Sequence, residues 1–306
     1  MVVPKVVVPV PVRPPVELPL STKEEAAAND TANKGTWNTK NLGRRIGVDA
    51  MAAASAGLLV APIITMIDKG IIENASGRNT LGDSLKKSAK ELLLRPHRFL
   101  TSKPFALIFS LYFGTYLTAN TIDTASSVLH STPAAATTAG TPKFLATSAS
   151  NLALCLYKDN RFTQMFGSTS PGASGARRPV PLPTFALFTI RDCLTIFASF
   201  NLPPLLAPRL AAHLDAEVTK YVSAASAAQF VTPAAVQLVS TPLHLLGLDL
   251  YNRPGVGLWG QEGRVGRVMR DWGMSAVARM GRIVPAFGVG GVVNARVRKG
   301  GMEGLE

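Results

Sequence analysis

The sequence holds only two cysteines, Cys155 and Cys193, too few for a disulfide scaffold or a four-cysteine zinc site. Its four histidines, His97, His130, His213 and His244, are scattered without metal-ligand spacing. Charged residues make up 17% and aromatics 7%. A basic soluble nucleic-acid binder carries more of both, so no nucleic-acid partner is expected. Low charge with a mean hydropathy of +0.20 excludes a disordered chain. Nowhere is there an uninterrupted apolar run of about eighteen residues, the plainest mark of a spanning helix. No nucleophile–base pair or acid–base dyad emerges either. The chain therefore reads as a non-enzyme with no catalytic residue, cofactor or metal.

What remains is 47% apolar residues and 32 Lys+Arg against 19 Asp+Glu, a formal charge of +13. Residues 1–45 stand apart as a disordered tail. Its first part, VVPKVVVPVPVRPPVELPL, is extended by repeated proline. A secretory signal needs a proline-free apolar core, and a cleavable presequence should lack Glu17, Glu24, Glu25 and Asp30.

Beyond the tail, apolar stretches recur at 48–67, 105–122, about 144–157, 184–206, about 224–250 and 275–293. Each is rich in Gly, Ala, Ser and Thr, which let membrane helices approach closely. By composition alone a soluble helical bundle also fits. Loop charge separates the two. Sixteen Lys/Arg fall in loops 1–2, 3–4 and 5–6, and three fall in loops 2–3 and 4–5. A membrane protein has reason to alternate charge in this way, and a soluble bundle has none. Both termini then lie opposite the basic loops.

The odd segments end alike, at Pro62-IITMIDKG, Asn151-LALCLYKDN and Pro242-LHLLGLDLYNRP, with spacings of 89 and 91 residues between the named positions. A basic loop and a further apolar segment follow each. In the first loop, Leu81, Leu85, Ala89, Leu92 and Leu93 share a helical face and Lys86, Lys87 and Lys90 lie off it, as in an interfacial helix. Residues 262–272 are its weaker counterpart in the third repeat.

Three units of helix, basic amphipathic segment and helix resemble the mitochondrial carrier family across about 46–299, with repeats at about 46–128, 140–206 and 224–299 and a short tail at 300–306. The resemblance implies an all-α fold, a six-transmembrane-helix bundle around a pseudo-threefold axis. The family motif is Pro-x-Asp/Glu-x-x-Lys/Arg-x-Lys/Arg, whose charges gate the bundle. Here its charge places hold Ile64, Ile67 and Lys69 after Pro62, then Ala153, Leu156 and Lys158 after Asn151, then His244, Gly247 and Asp249 after Pro242. On that register the ionic gate is missing. The chain is thus similar to non-transporting relatives of the family, which implies a structural, interaction or assembly role in the mitochondrial inner membrane, with the outer membrane as the alternative. Its expected partners are membrane lipids, anionic ones included, and other mitochondrial membrane proteins or complexes. The alternative function is an active solute carrier for a small anionic metabolite with an atypical gate.

Arg191 and Asp192 lie inside the fourth segment, and charges at membrane depth face a cavity or each other. They are candidate cavity-lining residues or a helix–helix ion pair. Arg279 and Arg282, three apart on the sixth segment, either receive an anion or anchor at the interface. His244 and Asp249 read as a polar interhelical contact. Gly255, Gly257 and Gly260 spell G-x-G-x-x-G but lack the strand and parallel sheet that a dinucleotide site needs.

Overall fold

The computed structural model describes residues 37–168, 178–213, 223–260 and 263–305. Nearly all of the tail assigned to 1–45 lies outside them. Among the described residues the chain is helical throughout, with no strand. Helix α1 (Leu42–Ser76) begins inside the expected tail and stops at Gly77, whose φ of 77° closes a left-handed cap on Asn74 and Glu73. Then follow α2 (Leu81–Leu94), α3 (Pro96–Leu100), α4 (Lys103–His130), α5 (Thr141–Phe166), α6 (Leu182–Phe200), α7 (Leu202–His213) and α8 (Ala224–Asn252). The last run is α9 (Arg264–Gly281), a π-helical stretch (Val284–Gly290) and α10 (Gly291–Glu303), which absorbs most of the expected C-terminal tail. Caps and prolines explain the starts. Ser102 accepts from the Phe105 N–H with Pro104 in the first turn of α4, and Pro142 and Pro183 sit likewise at the starts of α5 and α6.

Five helical spans are long and apolar enough to cross a membrane: α1, α4, α6, most of α8, and the rod Arg264–Glu303. The sixth expected span, α5, is not among them. It is not apolar enough, because Lys143, Lys158, Asp159 and Arg161 are joined along it by Thr147, Ser148, Ser150 and Asn151. The expected amphipathic segment of the third repeat is no separate helix. Nothing at 272–275 halts the chain, so it joins the final rod. In the first repeat α2 is separate. It docks on α1 through Leu81, Ser84 and Ser88, where Ser84 donates to Glu73 (2.7 Å). Leu93 points out to the surroundings together with Lys86, Lys87 and Lys90.

Sequential long helices touch: α1 on α4, α4 on α5, α5 on α6, α6 on α8, α8 on α9, and α10 back on α1. The resulting ring is inside out by soluble standards. Arg45, Asp49, Asp68, Lys158, Asp159, Arg191 and Arg298 are buried, whereas Leu58, Leu59, Ile63, Ile190, Val239, Val277 and Phe287 are exposed on the outside of spanning helices. Water does not stabilise that arrangement, and hydrocarbon does. The chain is a membrane-embedded helical protein.

Gly247 and Gly290 stand at close approaches between helices. A Cβ on Gly247 would stand 2.7 Å from a Phe188 ring carbon, and one on Gly290 would stand 2.4 Å from the Tyr116 hydroxyl and 2.8 Å from Val60. Tyr116 uses that proximity to donate to the Ala286 carbonyl in the π-helical stretch (2.8 Å). Replacing Gly290 with alanine is expected to destabilise by about 1–3 kcal/mol through overpacking. The check is the melting temperature of purified protein, and an unchanged value would mean that α1, α4 and the π segment do not meet this closely.

Candidate functional site

Two polar layers interrupt the apolar interior. At the start of α1, Asp49 accepts from Arg298 Nε (2.7 Å) and from the Thr124 hydroxyl (2.5 Å), and Asn120 and Asn294 exchange side-chain hydrogen bonds (2.8 and 2.9 Å). This layer pins the beginning of α1 to the ends of α4 and α10. The second layer starts at Asp68, nineteen residues further on, or about 28 Å along a helix that rises 1.5 Å per residue. That is close to the thickness of a bilayer's hydrocarbon core. Between them the inner face of α1 is Ala52, Ala56, Val60 and Ile64, all fully buried.

The second layer is a continuous ionic chain. Asp68 accepts from Lys158 (2.8 Å) on α5 and from Arg282 (2.7 Å) at the end of α9. Lys158 also pairs with Asp159, and Asp159 with Arg191 of α6 (2.6 Å). Arg191 donates through Nε (3.0 Å) and Nη2 (2.6 Å) to Asp192 Oδ1, and through Nη1 to His244 Nδ1 on α8 (2.6 Å). Phe188 lies under both, its ring 5.1 Å from the Arg191 guanidinium and 5.1 Å from the His244 ring. Arg279 stands apart, its Nε donating to Gln237 Oε1 (2.9 Å). Four cations thus face three carboxylates in a space enclosed by α1, α5, α6, α8 and α9.

The candidate residues distribute as follows. Arg191, Asp192, Arg279, Arg282, Lys158 and His244 all enter this one layer. Lys158 is doubly paired, where the motif register left it without an acid. Asp249 is buried away from His244 and binds Arg264 (2.6 Å) and Arg253 (2.6 Å) near the basic loops. Lys69 is half-buried beside the Phe166 ring (5.8 Å). Asn151 donates to Thr115 (3.2 Å) across the α4–α5 contact. Pro62 and Pro242 lie within continuous α1 and α8. Gly255, Gly257 and Gly260 lie in the irregular stretch after α8, away from any sheet.

Acids recur further along the odd segments, at Asp68, Asp159 and Asp249, spaced by 91 and 90 residues. That recurrence is as regular as the one between Pro62, Asn151 and Pro242 and is readable in the sequence. Two polar stripes were also readable at helical spacing: Gln237, Thr241 and His244 on α8, and Ser275, Arg279 and Arg282 on α9.

A family model described as probable citrulline exporter matches residues 52–302, from the third turn of α1 to the last turn of α10. No curated protein and no solved structure matches the chain. The family match overturns the resemblance to mitochondrial carriers, and with it the non-transporting, structural role drawn from that resemblance. The mitochondrial placement had the same source, and what stands on the structure is membrane embedding. With the match covering well over half of its length, the chain belongs to the family described as probable citrulline exporters.

Proposed function

We propose that this protein carries citrulline, or a small amino acid like it, across the membrane in which it is embedded. The observation that carries this reading is the family match over residues 52–302, which favours a transporter over a docking protein. The buried ionic layers support it. A pathway through a ring of helices must close at each end in turn, and each closure must be strong enough to hold yet reversible on substrate binding. The Asp49 and Asp68 layers lie on opposite sides of an apolar waist and tie α1 to α4, α5, α10 and the end of α9. The recurrence of Asp68, Asp159 and Asp249 further supports a threefold plan within the six long rods.

The basic loops flank the Asp68 layer, because they follow the ends of α1, α5 and α8. By the positive-inside rule that face is the inner one, and export runs from it towards the Asp49 layer. Transport is tested by reconstituting the purified full chain in liposomes and following labelled citrulline. Saturable uptake, competed by unlabelled citrulline, is expected. Uptake no faster than in protein-free liposomes would overturn the reading.

A further inference from the structure

We propose that Arg279 and Asp192 are the two poles of an α-amino-acid binding site, Arg279 taking the carboxylate and Asp192 Oδ2 the ammonium group. The proposal rests on the transport reading and names the groups that recognise the substrate. It starts from a mismatch within the charged layer. Lys158 is held by Asp68 and Asp159, Arg191 by Asp159 and Asp192, and Arg282 by Asp68. Among the described residues no carboxylate pairs with Arg279, which is 6% exposed and uses one of its five N–H donors, on Gln237. A buried guanidinium without an anion is costly, and an arrangement that keeps one is suited to an anion that comes and goes.

The acidic pole has the complementary deficit. Asp192 Oδ1 takes both bonds from Arg191, and its buried Oδ2 has no partner. Among the unpartnered buried hydroxyls are Thr241 and Ser275. They belong to the same stripes: Thr241 is one turn beyond Gln237 on α8, and Ser275 is one turn before Arg279 on α9. A zwitterion placed here satisfies both charged deficits at once, and the hydroxyls supply hydrogen bonds to an uncharged polar side chain such as a ureido or carboxamide group. A side-chain ammonium or guanidinium would add to the single positive charge by which the four cations of this layer exceed its three carboxylates. The site therefore selects neutral amino acids over basic ones.

Binding to the detergent-solubilised full chain can be measured calorimetrically with three probes: citrulline, its carboxamide, which lacks the carboxylate, and N-acetylcitrulline, which lacks the ammonium group. The wild type should bind citrulline at least tenfold more tightly than either analogue. Arg279→Gln should lose that preference over the carboxamide, and Asp192→Asn the preference over the N-acetyl compound. Arg279→Lys, which keeps the charge but not the two-pronged geometry, should retain a reduced preference for the carboxylate and serves if the glutamine variant does not fold. Citrulline binding that is equally tight and equally selective in the Arg279 variants would overturn the site while leaving the transport reading intact. A wild type that binds no amino acid overturns both.

Discussion

Replacing Arg191 with leucine should leave little correctly folded protein. Arg191 holds Asp159, Asp192 and His244 together in a space where all four groups are buried. Its removal leaves Asp159 with Lys158 alone and Asp192 with no cation. Breaking a buried ion pair by deleting one partner costs about 3–5 kcal/mol, a large part of a typical folding free energy. The effect should appear as loss of the monodisperse peak in detergent and as a sharply lowered melting temperature. Adding Asp192→Leu removes the stranded carboxylate, and paired charges replaced together by apolar groups are tolerated. The double variant should recover part of the loss. If Arg191→Leu alone is as stable as the wild type, the chain of contacts through α5, α6 and α8 does not hold these helices together.

Asp68 should govern opening on the basic side. It is the one acid that joins α1 to both Lys158 of α5 and Arg282 of the last rod. Asp68→Asn removes the charge and keeps the shape. At about 1.4 kcal/mol per factor of ten, losing one such buried pair shifts the closed–open equilibrium by about two to three orders of magnitude. Cys155 reports it. This half-buried thiol lies on α5, one turn before Lys158 and Asp159. In a Cys193→Ser background, which removes the exposed second thiol, Cys155 should react at least tenfold faster with a membrane-impermeant maleimide added from the basic side. Equal rates in Asp68→Asn and its parent would show that this layer is not a closure.

The architecture was legible to the extent that helix periodicity and loop charge determine it. The six apolar segments all became helices, because proline and capping serines fix their starts and small residues fix their packing. The span count was not legible, since α5 spends its charges inward. Lys158 and Asp159 lower its apolarity while burying completely, and a tally of apolar residues does not see which way a charge points. The merging of α9 with the final rod was missed because amphipathicity marks a face and not an end. At the site, Arg191, Asp192, Arg279 and Arg282 stood out as charges in apolar surroundings. Asp68 and Asp159 did not, because they fall just past the apolar stretches that end at 67 and 157, where an acid looks solvent-exposed, although both lie inside α1 and α5. The carrier motif has no place for them, whereas the 91 and 90 residue spacing of the aspartates shows them without any motif.

Counter-exchange measures the central claim most directly. Liposomes containing the purified chain are preloaded with unlabelled citrulline or with buffer, and labelled citrulline is added outside. A pathway whose two ionic layers open in turn reorients faster when loaded, so preloading should raise the initial rate of label entry several-fold, with saturation in external citrulline. Entry that is slow, unsaturable and indifferent to preloading would contradict the account.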